Sequence, residues 1–473
     1  VDGLAGVSGR VRGTLAGVLP LQGADLTVTA RADSLAGAAR LLPWPAAAPA
    51  PERLGPVALD GRLTGDASAL GVEVALKAAG GTLQAGGVVR NAAQTPPGQM
   101  PESALTLRIS HPDLSALAPL LTGGAVALGG ALDLYTEMTA SGGTVTLANI
   151  QGQALDTPVA GRVEVVFDGE RPRVDAALQT GDVDLGRLMT AGTAPSAPPA
   201  TAPAKDHESV QPLPLGWLRA ADGRLSLTAS SLRINGWRLE DAALKASLSD
   251  GVLSLDPMDA RFLGGRLGVG GTLSAPPGQS PTAALSLTLL GARPGDSAPA
   301  GFPFGIADGT VDASFDMTTV GGSRQAMVLG MAGTGSVTVR DGRLRGMDFA
   351  VLRDRLPHVA RPQDALEALA AAMKGGETPF DTLTATVTAD HGVLRTDDAR
   401  MAAPLGQASA AGTYDLLGAT MTGQVTMVPA TEAEAPPVTL RLSGAVDAPS
   451  RSLDMAPVQS FLARRADGED GTP

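Results

Sequence analysis

Four histidines, His111, His207, His358 and His391, are the strongest metal-ligand candidates in this 473-residue chain. A zinc or transition-metal site needs several such donors at a fixed spacing. No two of the four stand at ligand spacing. His207-Glu208 has no second histidine four residues on, so it fails the zinc-protease pattern. His391 occupies a turn position where Asp or Asn is usual, and His111 precedes Pro112 at a helix start. Both read as local structural residues. There is no cysteine, which excludes disulfides, thiolate chemistry and cysteine-based zinc sites. No Gly-x-Ser-x-Gly elbow and no phosphate-binding Walker loop is present. The run Gly264-Gly265-Arg266-Leu267-Gly268-Val269-Gly270-Gly271 is glycine-rich, but a phosphate cradle needs a helix N-terminus next. Thr272-Leu273-Ser274-Ala275-Pro276 offers none, so the run reads as a tight turn or bulge. The pairs Asp182/Asp184 and Asp397-Asp398 read as solvated turn or cap carboxylates. The expectation is a protein that is not an enzyme, with no metal and no cofactor.

Composition narrows the class further. Net charge is −12, and the basic residues are scattered. That argues against nucleic acid and against a polybasic membrane contact. Aromatics are 3% and hydrophobic residues 44%, so the apolar content is mostly Ala, Val and Leu. Sixty glycines and 36 prolines fit frequent turns between short strands. The uncharged stretch 114–132 contains Pro119 and four glycines, which makes it a poor membrane span.

The dominant pattern is period-2 alternation. Leu105, Leu107 and Ile109 alternate with Thr106, Arg108 and Ser110. Leu225 and Leu227 alternate with Ser226 and Thr228, Val337 and Val339 with Thr338 and Arg340, Leu383 and Val387 with threonines, and Leu440 and Leu442 with Thr439 and Arg441. Successive side chains of a strand point to opposite faces, so each segment has one apolar and one polar face. That is antiparallel sheet with one wet side. Asp222-Gly223, Asp250-Gly251, Asp308-Gly309, Asp341-Gly342 and His391-Gly392 flank such runs and suit tight hairpin turns. A weak repeat pairs strand 26–30 and an apolar tail from Ser34 with strand 105–109 and a tail from Asp113, 79 residues on. A third tail starts at Asp184. Each tail has the spacing of a short one-faced helix. A helical segment is expected over 346–374, with Phe349, Leu352 and Leu356 before Pro357, then Leu366, Leu369 and Met373 on one face after Pro362. Proline-rich loops fall at 43–56, 94–102, 275–281, 293–303 and 431–437, and the longest, 190–212, has no apolar periodicity.

The C-terminal third carries an ordered set of pieces. Gly335-Ser336-Val337-Thr338-Val339-Arg340-Asp341-Gly342-Arg343-Leu344 precedes the helical segment. Thr378-Pro379-Phe380-Asp381-Thr382-Leu383, Gly392-Val393-Leu394-Arg395, Gly412-Thr413-Tyr414-Asp415-Leu416 and Pro437-Val438-Thr439-Leu440-Arg441-Leu442 follow. This resembles the C-terminal module of the AsmA family, which is similar to TamB and YhdP proteins. Gly251-Val252-Leu253-Ser254-Leu255 and Phe262-Leu263-Gly264-Gly265-Arg266 resemble that family's middle repeats. The resemblance implies an inner-membrane anchor upstream of this fragment, a periplasmic repeating β-groove, and a part in phospholipid movement and outer-membrane assembly. It carries no catalytic residues.

The expected fold is mainly β: a long antiparallel meander of repeated hairpins forming a curved, groove-like sheet with a few short helices. The expected organisation is groove segments over 1–190, a Pro/Ala-rich linker over 191–211, groove repeats over 212–330, the AsmA-like module over 331–463 and a frayed tail over 464–473. The expected groove lining is Leu105, Leu107, Ile109, Leu225, Leu227, Val337, Val339, Leu383, Val387, Leu440 and Leu442. The expected partners are phospholipid and a membrane. Two alternatives stay open: two such sheets closing on each other as a sandwich, and an extracellular adhesin or surface-structural β-solenoid.

Overall fold

The computed structural model describes residues 7–18, 21–34, 55–96, 99–114, 129–169, 171–184, 212–234, 236–295, 305–431 and 435–469. His207, the apolar tails expected after Ser34, Asp113 and Asp184, and nearly all of 190–212 lie outside these residues. The protein is mainly β, as the alternation predicts. Twenty-four strands belong to one open, mostly antiparallel sheet. The chain divides into two compact units, residues 1–202 with 214–256, and 203–213 with 257–473.

In the first unit consecutive strands pair in sequence order, from Val7–Thr14 with Ala24–Ala32 to Asp222–Ile234 with Trp237–Ser249. One step is parallel, Arg173–Asp184 with Asp222–Ile234. A parallel pair needs a crossover connection of a dozen or more residues, and the chain between 184 and 222 supplies one. This corrects the expected Asp222-Gly223 turn. Asp222 opens a strand, and Gly223 lies beside Val174 so closely that a Cβ would collide with the Val174 carbonyl.

Tight turns form at Asp250-Gly251 and His391-Gly392, where both residues take positive φ. The same conformation occurs at Ala79-Gly80, Leu155-Asp156 and Leu263-Gly264. Of the glycine-rich run expected to be a turn or bulge, Gly264 alone lies in that turn, and Gly265 to Gly271 belong to strand Gly265–Ser274, paired in unbroken register with Thr282–Ala292. Asp341-Gly342 is a second correction. It lies inside strand Ala332–Arg345, with Asp341 at φ 52° and Gly342 still in register with Phe380.

The second unit adds a helical layer. Neighbouring strands Ala332–Arg345 and Glu377–Asp390 pair to their ends, Arg345 against Glu377, and the chain between them forms an insert. Its helices are Phe349–Arg355 and Pro362–Ala372. Asp348 caps the first, accepting from the backbone N–H of Ala350 and Val351 at 2.9 and 3.3 Å. Asp364 reaches back to the Arg361 N–H at 2.8 Å and, with Pro362 in the first turn, fixes the start of the second. Phe349, Leu352, Leu356, Ala365, Ala368, Leu369 and Ala372 pack on Val339, Met401, Met427, Val438 and Leu440 of the sheet. Each large side chain buried there contributes about 1.5–3 kcal/mol. Leu366, expected on the buried face, is 47% exposed. Small alanines at 365, 368 and 372 face the core instead and let the helix approach closely. Helix Ala456–Glu469 runs through the segment expected to fray from Arg464.

Candidate functional site

The apolar alternation places one face of each strand under the same chemistry, and register decides whether those faces join. In the first unit they do. Leu26 faces Leu63, Leu63 faces Val72, and beyond Gly87 the row continues through Leu105, Met138, Leu147, Val163, Ala176 and Leu225 to Ala246. Residues opposite each other on paired strands share a face. At roughly 4.8 Å per strand step, this row is about 48 Å long. Its side chains are half-buried, not buried. Among the described residues of this unit, the helical pieces are one-turn segments at 92–94 and 216–219.

The opposite face is polar and held by ion pairs between neighbouring strands. Arg62 donates to Asp25 through two nitrogens at 3.0 Å each, and Arg108 to Asp133 at 3.2 and 3.0 Å. These hydrogen bonds hold the Asp25 and Asp133 carboxyls below the ordinary carboxylate range. Exposed pairs of this kind add little stability; their geometry favours one register. A slip by one residue would turn the apolar row to water.

Leu105, Leu107, Ile109, Leu225 and Leu227 are half-buried, with Thr106, Arg108, Ser226 and Thr228 exposed beside them, as the alternation predicts. Leu225 also lines a hollow of about 620 Å³ that carries charges of both signs, among them Arg162, Glu164, Asp175 and Arg224. Val337 and Leu383 are partly buried against the helical core. Val339, Leu440 and Leu442 differ from expectation: they are 0%, 2% and 6% exposed and belong to that core. The insert and the helix Ala456–Glu469, through Val458, cover this core, a placement that strand alternation does not encode. Thr439, expected to face water, is also buried, and its hydroxyl lies 2.9 Å from that of Thr426.

Beside the covered patch the same face of the second unit opens into an apolar cavity of about 730 Å³. Leu383, Val387, Leu394, Met421, Val425 and Leu442 line it from the sheet, and Met347 and Phe349 from the insert. The size lies within the roughly 300–1,000 Å³ of small-molecule sites. The methionines Met347, Met401, Met421 and Met427 give it an adaptable wall. Thr396 is also in the wall. Two residues from Leu394 on the same strand, it shares that residue's face, and a register shift between Thr396 and Ala399 brings Ala399 onto the face as well. The Thr396 hydroxyl is buried without a hydrogen-bond partner. Leu394, Met421 and Val425 escaped the sequence reading, although all three stand in alternating segments. Nothing in their own strands distinguishes them from the other inward residues.

His111 and His391 make local contacts. His111 Nε2 is 2.8 Å from the Ala79 carbonyl, and its Nδ1 accepts from the Asp113 N–H at 3.1 Å. His391 sits exposed in its turn, 2.7 Å from Asp390. No group of His, Asp and Glu among the described residues could hold a metal. No helix among them is long and apolar enough to cross a membrane.

Compared with known proteins, the AsmA family model matches residues 105–399, more than half of the chain. No curated protein and no solved structure gives a significant match.

Proposed function

The chain belongs to the AsmA family, and from that premise we propose that it is a non-catalytic cell-envelope protein whose apolar sheet face binds or conducts phospholipid acyl chains. The observation that carries the reading is the in-register apolar row from Leu26 to Ala246. A half-buried aliphatic stripe about 48 Å long, at roughly 4.8 Å per strand, is a contiguous apolar surface of the kind that marks a binding groove. Acyl chains would cover it without bringing polar groups that need partners. The 730 Å³ cavity in the second unit supports the same chemistry. The polar outer face, with its Arg–Asp pairs, suits contact with water. In this reading the protein works in the periplasm, attached to the inner membrane, and supports outer-membrane assembly.

The test is detergent-free purification of the chain, followed by organic extraction and mass spectrometry. Phospholipid at about one or more molecules per chain is expected. Protein that is folded, monodisperse and free of lipid would sink the proposal. Recovery of the full gene product in the culture medium would remove the envelope assignment and favour a secreted surface structure.

A further inference from the structure

Across the cavity of the second unit the two middle positions of one four-strand row, Gly412 and Gly423, lack side chains. Thr396 is in register with Gly412, Gly412 with Gly423, and Gly423 with Leu442. The next row on one side is Ala399, Ala410 and Val425, and on the other Leu394, Tyr414 and Met421. All eight lining positions other than the two glycines carry side chains on the cavity face, so Gly412 and Gly423 form the floor of a slot. The walls stand two residues away along each strand, about 6.6 Å on either side. Gly412 is required for this floor, because a Cβ there would press on the Thr422 carbonyl.

We propose that this row is a slot for a single unbranched acyl chain, and that Ala399 and Ala410 set what fits in it. The inference rests on the lipid-handling reading and adds a discrete, shape-selective position to it. A floor one residue pair wide takes a linear chain and rejects a fused ring system. A peptide is also excluded, because its N–H and C=O groups would need partners. The sheet backbone is already paired, and Thr396 and Tyr414 carry the two side-chain hydroxyls among these row residues, too few to partner the repeating N–H and C=O groups of a peptide. From Val387 to Leu442 the cavity crosses four strand steps, about 19 Å at roughly 4.8 Å each, which suits an extended acyl chain lying across the strands.

The experiment uses the full chain and palmitic acid carrying a diazirine within its alkyl chain. After irradiation, cross-linked peptides are mapped by mass spectrometry. Cross-links within 394–427 are expected, and Ala410→Leu should lower their yield roughly tenfold, a change of about 1.4 kcal/mol in binding. Gln407→Leu, on the same strand but exposed on the other face, should leave the yield unchanged. Ala399→Leu serves as the second wall variant if thermal melting shows Ala410→Leu to be unfolded. Cross-links near Leu105 or Leu225 with none in 394–427 would overturn the slot and leave the groove standing. Cross-links nowhere would overturn both. Undiminished yield in a folded wall variant, or competition by cholesterol as effective as by unlabelled palmitate, would overturn the single-chain slot.

Discussion

The ring of Phe380 lies directly over Gly342 on the neighbouring strand, in the space that a side chain at 342 would occupy. Phe380 is 3% exposed and belongs to the core beneath the insert. Gly342 has no positive φ, so its requirement is steric. Gly342→Ala is expected to cost about 1–3 kcal/mol through overpacking. Phe380→Leu in the same chain should recover part of that loss. A double-mutant cycle by denaturant unfolding checks it, and additive effects would show that the two residues do not share one space.

Open and covered parts of the apolar face should respond differently to charge. Leu227 is half-buried on the open apolar face, in the row beside that of Leu225, so Leu227→Asp should leave the chain folded but strip bound phospholipid. Leu440 is buried in the helix-covered core, so Leu440→Asp should unfold the second unit, at a cost of several kcal/mol. Ser226→Asp, one residue from Leu227 on the polar face, should do neither. Thermal melts with mass spectrometry of bound lipid read all three. Equal effects at 226 and 227 would mean the strand register is wrong.

Thr378 ties the insert to the sheet. Its hydroxyl accepts from the Phe349 N–H at 3.0 Å and donates to the Met347 carbonyl at 2.8 Å, all fully buried. Thr378→Val keeps the shape and orphans both backbone groups, so a loss of about 1–3 kcal/mol is expected. Urea unfolding measures it, and an unchanged midpoint would remove Thr378 from this role.

Thr396 poses the reverse case. Its hydroxyl is buried without a partner, so Thr396→Val should raise stability, by on the order of 1 kcal/mol. A lower melting temperature in the lipid-free protein would contradict this.

The outer-face carboxylates set a pH dependence. Asp25 and Asp133 are held below their ordinary value by hydrogen bonds from Arg62 and Arg108. Their contribution is present above the unfolded carboxylate pKa, about 3.9, and disappears as pH falls through the lower folded values. The melting temperature should therefore drop more steeply below about pH 4 in the native chain than in an Arg62→Met, Arg108→Met variant. Parallel curves would show that the pairs carry no such linkage.

The sequence alone determined the local facts. Alternation at Leu105–Ile109 and Leu225–Leu227 set the strands and their inward faces, because side-chain direction along a strand has a period of two whatever lies beside it. Asp250-Gly251 and His391-Gly392 set turns through their own backbone freedom, and Pro362 with Asp364 set a helix start. The tertiary structure decided what depends on partners distant in the chain. Gly223 looked like a turn residue until Val174 became its parallel neighbour. Val339 and Leu440 looked like Leu225, but the former lie in a core covered by the helices of the 346–376 insert and by the C-terminal helix, and the latter does not. The slot at Gly412 and Gly423 exists only because two glycines on different strands come into register. Periodicity reports which way a side chain points; it cannot report what, if anything, stands opposite.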